Sequence, residues 1–334
     1  MKTAILCALV LLPFCPVQNQ TAMPQQSPPP ETARPKTTPR VDHHQHLFSP
    51  AAAALVLGNP SSQGISATDL IAHLDAAGIR RALVLSMAYT WGSANRTVEN
   101  EYEKVKAEND WTSQQVGQHR DRLRAFCSFN PLKPYAFDEL ARCTKDPQLR
   151  AGLKLHFGNS DVDLDNPENV ATVRKVFQAA NDRRMPIVVH MRTSISKARK
   201  FGRDQARVFL TELLPSAPDV PIQIAHLCGA GGYDDLTDAA LNVFVEAIAA
   251  KDARVKNLWF DVTAVVRPNI TPDKAKLVAT RIRQIGIRRV LYGSDAAGGG
   301  NLLPREGWAA FWQLPLTEKE FKTIAENVAP YMRW

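Results

Sequence analysis

Five stretches of this 334-residue chain carry a buried-strand pattern that ends on a residue able to hold a metal ion or move a proton. They are Val41-Asp-His-His-Gln-His46, Gly152-Leu-Lys-Leu-His156, Ile187-Val-Val-His190, Ile222-Gln-Ile-Ala-His226 and Val290-Leu-Tyr-Gly-Ser-Asp295. Side chains alternate along a strand, so Asp42, His44 and His46 are expected on one face, with His43 and Gln45 on the other. Two imidazoles at i and i+2 can grip one ion together. Neutral nitrogen ligands joined by a carboxylate suit Zn²⁺ and leave a position open for water. A cation so held lowers the pKa of its water towards about 7, which allows hydrolysis at neutral pH. One strand-end histidine alone is most simply a hydrogen-bonded structural residue. Repetition at the ends of successive strands is what implies a metal-dependent site.

Apolar runs that end in His or Asp suit a parallel sheet covered by helices, with polar groups emerging at its C-terminal rim. The segments between them have the periodicity of helices. Ala67–Gly78 reads as a capped helix, followed by a strand at Arg81–Met87, a helix within Glu99–Arg122 with Trp111 as packing anchor, and a strand at Arg124–Asn130. Helical spacing returns at Tyr135–Cys143, Asn169–Ala180, Asp204–Leu214, Ala239–Ala250 and Pro272–Gln284, with a further strand at Asn257–Val262. Eight strands alternating with helices is the count of a (β/α)₈ TIM barrel, whose active sites lie at the C-terminal rim. A doubly wound sheet shares this rhythm, but no Gly-x-Gly-x-x-Gly turn follows the first strand. A single α/β barrel domain over 41–334 is therefore expected.

What precedes residue 41 has another character. Met1-Lys2 and the apolar run to Phe14 read as an export signal, too short to span a bilayer comfortably, with cleavage near Ala22. Residues 23–40 are rich in Pro and Thr and are expected to be a disordered linker. The protein is thus expected to be exported, to the periplasm or beyond, without a stable membrane anchor. The formal net charge is +8, three of it before Val41. With no basic run interleaved with aromatics, nucleic acid is not an expected partner. A small-molecule substrate is, with some preference for anions, and homo-oligomers are open. Of the cysteines, Cys127, Cys143 and Cys228 survive signal removal. Cys127 reads as a small buried hydrophobe on a strand rather than as half of a disulfide with Cys143, although that pairing is open in an oxidising compartment.

The strand-end motifs resemble the amidohydrolase superfamily, in its amidohydrolase-related (type 2) branch: Asp42-x-His44-x-His46, His190, His226 and Gly293-Ser-Asp295, in that order over essentially all of 41–334. The resemblance implies a (β/α)₈ barrel with one or two divalent metals at its rim. Carried onto these positions, it implies His44, His46, His190 and Asp295 as ligands of one ion, zinc by preference. Asp295 then accepts the proton of water and His226 moves a proton to or from the substrate. In binuclear members a carboxylated lysine on strand four bridges two metals, with His190 and His226 on the second, and Lys154 sits where that lysine would. A similar Lys-x-His also occurs in relatives with one metal, which is the preferred reading here. Lys154 and His156 then hold a substrate carboxylate or oxyanion, or else pair with Asp161 or Asp163. Arg192 either forks onto a substrate carboxylate or pairs with a loop acid, and Trp91 either walls the site or caps the barrel. His43 is expected outward against the helices, and His73 and His119 on helix surfaces. The implied activity is hydrolysis of an ester, lactone or amide. Non-oxidative decarboxylation is the alternative on nearly the same ligands, and a silent binding protein is disfavoured by the complete ligand set.

Overall fold

The computed structural model describes residues 35–58, 61–195, 198–296 and 301–333; the expected signal and most of the linker lie outside them. Eight parallel strands follow one another in chain order: β1 (Val41–Gln45), β2 (Arg81–Leu85), β3 (Leu123–Ser128), β4 (Leu153–His156), β5 (Ile187–His190), β6 (Ile222–Ile224), β7 (Leu258–Asp261) and β8 (Val290–Leu291). The ring closes where His43 N donates to Tyr292 O and Asp295 N donates to His44 O, each at 2.8 Å. The architecture is a (β/α)₈ barrel.

Alternation along the strands sorts two cores. Ala82, Val84, Cys127, Leu153, Leu155, Ile187, Val189, Ile222, Ile224 and Phe260 face the surrounding helices. Val41, Leu83, Leu85, Phe126, Val188 and Leu291 fill the interior at the strand-start end, where Ala329, Tyr331 and Met332 of the C-terminal segment close the floor. Local chemistry sets the helix ends. Ser66 and Asp69 form a capping box at the start of Ala67–Ala77, and Gly78 ends it in the left-handed region. The helices expected from periodicity form within a few residues of their predicted limits. Pro50–Leu57, Pro304–Phe311 and Glu318–Glu326 add to them, the first capped by Ser49.

Four expectations are corrected. The register of β1 against β2 shifts between Asp42 and Gln45, so strict alternation fails there. Asp42 is hydrogen-bonded to Gln45 Nε2 (2.8 Å) and Ser294 Oγ (2.7 Å) rather than sharing the face of His44 and His46. His43 does not face the helices: its Nε2 accepts from Ala329 N (3.2 Å), on the segment that plugs the floor. Residues 35–40 are docked, not a free linker, since Trp308 Nε1 donates to Thr37 O (2.6 Å) and Arg40 N to Ala325 O (2.8 Å). Finally, Cys127 and Cys143 form a disulfide with Cα atoms 6.1 Å apart. Cys127 is buried on β3 as expected, but the helix Ala136–Cys143 packs on that face and brings Cys143 to it.

Candidate metal centre

A cavity of about 690 Å³ opens at the C-terminal end of the strands, and His44, His46, Lys154, His156, His190, His226 and Asp295 all line it. Each arrives by a different local device. The register shift in β1 turns both His44 and His46 inward. Lys154 and His156 lie on β4 and His190 ends β5, with the rings of His156 and His190 stacked at 4.0 Å. His226 lies beyond β6 in a kinked turn, with φ 55° and ψ 33°, and Leu227 and Cys228 are also left-handed. Asp295 has φ 54°. Such backbone costs about 1–3 kcal/mol per residue and persists only where the surroundings impose it. Gly293 makes room for this geometry, because a Cβ there would lie 2.3 Å from Thr263 Oγ1 and 2.7 Å from His44 Cβ.

The hydrogen bonds at the far ring nitrogens fix the tautomers. His44 Nδ1 donates to Asp261 Oδ2 (3.1 Å), His46 Nδ1 to Leu85 O (2.6 Å) and His226 Nδ1 to Thr263 O (2.9 Å). Carboxylates and carbonyls only accept, so these three imidazoles carry the proton on Nδ1 and leave Nε2 bare. His156 is the reverse. Its Nδ1 accepts from Asn159 N (3.1 Å), so the neutral ring turns a donor, Nε2–H, towards other partners.

Burial keeps these rings neutral. It pushes His44 down to about 3, helped by the positive charge of Lys154, and lowers His46, His156, His190 and His226 as well. Neutral imidazole is the form that ligates. Burial likewise lowers Lys154 and raises Asp295, each effect opposed by the attraction between the two charges.

These groups fit a cation. His44, His226 and Asp295 each offer a ligand atom within 4.8 Å of the others. His46 Nε2 faces Asp295 Oδ1 at 3.5 Å. A bare imidazole nitrogen and a carboxylate oxygen are both acceptors, and two acceptors so placed suit a shared cation. Asp295 Oδ1 and His190 Nδ1 are buried with no hydrogen-bond partner among the described residues.

The other expected site residues separate. Arg192 does not line the cavity: its guanidinium donates to Asp234 Oδ2 (2.8 Å) and Thr237 Oγ1 (3.2 Å), the loop-acid pairing. Asp161 and Asp163 are bound by Arg199, and among the described residues Lys154 and His156 form no ion pair with either. Trp91 is buried beneath Lys104 and contributes no wall. Three residues escaped the sequence reading. Arg267 and Tyr89 line the cavity from loops without a pattern to flag them. Asp261, fully buried at the end of β7, accepts from His44, from Gln223 Nε2 (2.6 Å) and from the backbone N–H of His226 (2.8 Å). Burial opposes its charge, but His44, His226 and these donors outweigh it and hold the carboxyl well below its usual range. Leu258-Trp-Phe-Asp261 is an apolar run ending in a carboxylate, the signal used at the other strands.

The amidohydrolase family model matches residues 41–328, nearly the whole barrel. The chain belongs to the amidohydrolase family. Members of this family are metal-dependent hydrolases or decarboxylases. No curated protein matches the chain. Among solved structures, this amidohydrolase is similar to a probable 2-pyrone-4,6-dicarboxylic acid hydrolase of Acinetobacter baumannii with citric acid bound (16% identity, 85% of this chain and 95% of that one, TM-score 0.53). It is similar to a dihydroxybenzoic acid decarboxylase of a Polaromonas species with bound manganese (14% identity, 86% and 95%, TM-score 0.56). A third is an amidohydrolase of Burkholderia multivorans with bound zinc (12% identity, 86% and 96%, TM-score 0.56). At these identities the likeness is one of fold.

Proposed function

We propose that this amidohydrolase is an exported hydrolase that cleaves an ester, lactone or amide bond of a small anionic substrate, using one ion, zinc, held by His44, His46, His190 and Asp295. The observation that carries the reading is the pair of facing acceptors, His46 Nε2 and Asp295 Oδ1, in a cavity that four further groups able to ligate or donate, His44, His156, His190 and His226, also line. An ion held by these residues would supply an acidified water and a Lewis acid for the scissile carbonyl.

The chain's own groups do the rest. Asp295, raised by burial, is suited to take and return a proton. His226 presents a bare Nε2 for the same purpose, and its proximity to His44 and Asp295 equally supports a place among the ligands. His156 Nε2–H is a neutral donor suited to a developing oxyanion. Lys154 provides a buried cation for a substrate carboxylate, with Arg267 a second one further out. Phe48, Val56, Ile65, Met87 and Ile195 form an apolar wall for the body of the molecule. Decarboxylation is the second reading, favoured by one observation: Lys154 is buried in the cavity with no ion pair among the described residues, and so has a vacancy for the carboxylate that would leave. The disulfide supports export, because such bonds persist in oxidising compartments.

Metal counting on purified protein, with a panel of lactones, esters and carboxylic acids, tests the reading. Wild type is expected to bind one ion per chain. Lys154→Met is expected to keep it while weakening anionic substrates. Two ions in the wild type and one in the variant would replace this site with a carbamate-bridged pair and make His226 a ligand. Turnover of carboxylic acids alone would favour decarboxylation.

A further inference from the structure

Beneath the cavity a chain of buried hydrogen bonds runs from the C-terminal segment to the His44 ring. Tyr331, within the turn Pro330–Met332, donates its hydroxyl to Gln223 Oε1. Gln223 lies on β6, fully buried, and its Nε2 donates to Asp261 Oδ2 (2.6 Å) and to His43 O (3.2 Å). Asp261 Oδ2 also accepts from His44 Nδ1, and Asp261 Oδ1 from the backbone N–H groups of His226 and Thr263. The segment that carries Tyr331 is tied down in turn. Arg124 donates to Tyr331 O, Arg81 to Met332 O (3.3 Å), and Ala329 N donates to His43 Nε2.

A glutamine amide is almost symmetric in shape and opposite in chemistry at its two ends. Only the NH₂ end can face a carboxylate, so the carbonyl end must find a donor elsewhere, and the Tyr331 hydroxyl is that donor. We propose that the C-terminal segment is a positioning element of the metal centre: Tyr331 fixes the sense of the Gln223 amide, Gln223 orients Asp261, and Asp261 sets the tautomer and tilt of His44. The inference rests on the reading of His44 as a metal ligand.

Without the hydroxyl, Gln223 Oε1 is buried and unpaired. Turning the amide over would then set Oε1 against Asp261 Oδ2, two acceptors in a dry interior. The unpaired state favours that turn, and in the turned state the carboxylate loses the Gln223 donor that helps fix its place, which loosens the orientation of the His44 ring. Losing an outer partner of a ligating histidine typically weakens metal binding by about 10–100-fold.

The test measures zinc affinity by chelator competition in wild type and in the Tyr331→Phe, Gln223→Met, His44→Ala and Tyr135→Phe variants, together with the urea midpoint of each metal-free protein. Tyr135 is the control, since its hydroxyl bonds Glu101 away from the cavity. Tyr331→Phe is expected to weaken zinc by at least about 10-fold and to alter the visible spectrum of the cobalt form. The double variant with Gln223→Met should be no weaker than Gln223→Met alone. Zinc affinity of Tyr331→Phe within about twofold of wild type, well short of that range, overturns the inference, whatever happens to the urea midpoint. Should Gln223→Met fail to fold, Tyr331→Phe decides by itself, as it removes a single oxygen. Unchanged zinc binding in His44→Ala sinks the ligand assignment, whereas loss there with wild-type binding in Tyr331→Phe sinks only the positioning role.

Discussion

The floor and the mouth of the barrel interior are both buried, yet their polar groups are treated differently. At the floor, Leu83, Leu85, Phe126, Val188 and Leu291 pack against Ala329, Tyr331 and Met332, and the polar groups among them (His43, Gln223 and the Tyr331 hydroxyl) are bonded to one another or to backbone. At the mouth, the Nε2 atoms of His44, His46 and His226 are left bare, and Asp295 Oδ1 and His190 Nδ1 are buried without a partner among the described residues. A floor of this kind contributes stability; a mouth of this kind costs stability until something positive enters it. The two ends of one set of strands therefore divide the work, with strand starts holding the fold and strand ends holding the chemistry.

Substitutions at the two ends should therefore fail in different ways. His46→Ala is expected to abolish turnover and to lower bound metal in step, beyond the roughly 10–100-fold typical of outer groups, while the metal-free protein keeps its urea midpoint. Full metal occupancy by elemental analysis in that variant would remove His46 from the ligands. His73→Ala, on a surface helix, should change neither quantity. Phe126→Ala, at the floor, should do the opposite. It is expected to cost about 3–5 kcal/mol in urea denaturation, with zinc stoichiometry of the folded fraction unchanged. If it lowers stoichiometry instead, the division between the ends is not real.

The smallest effect belongs to the outer layer. Cys143→Ala opens the disulfide to β3 and is expected to cost about 2–4 kcal/mol, again without touching the metal. The same bond gives a check on location. Exported protein, denatured without reductant, should show Cys228 as the one reactive thiol of the barrel, and cytoplasmic protein should show three. Three thiols in secreted material would contradict the pairing.

Most of the fold was legible because parallel strands buried on both faces give uninterrupted apolar runs, and helices covering them give a different period. That seven of the expected residues, all but Arg192, line one cavity was legible for a related reason: a polar side chain at the end of such a run has nowhere to go but the rim. What escaped depended on contacts far apart in the chain. The register shift of β1, which reverses the faces of Asp42 and His43, follows from pairing with β2 and closure on β8. Whether Arg192 meets a substrate or Asp234 depends on a loop 42 residues away. The disulfide needed the distance between a strand and the helix packed on it. Asp261 is the exception, since its own run announced it.

The docking of residues 35–40 also decides what can be attached to this molecule. Thr38 lies over Gly78, just ahead of β2, and Arg40 is bonded to Ala325, so the chain joins the barrel at the ends where strands start. The cavity opens where they finish. A surface, bead or fusion partner joined directly at Pro35 thus meets the barrel at the opposite pole from the mouth, and immobilisation through that point should leave substrate entry unhindered. Attachment at loops such as Ile195 or Asn301, which border the opening, would place the burden across the entrance.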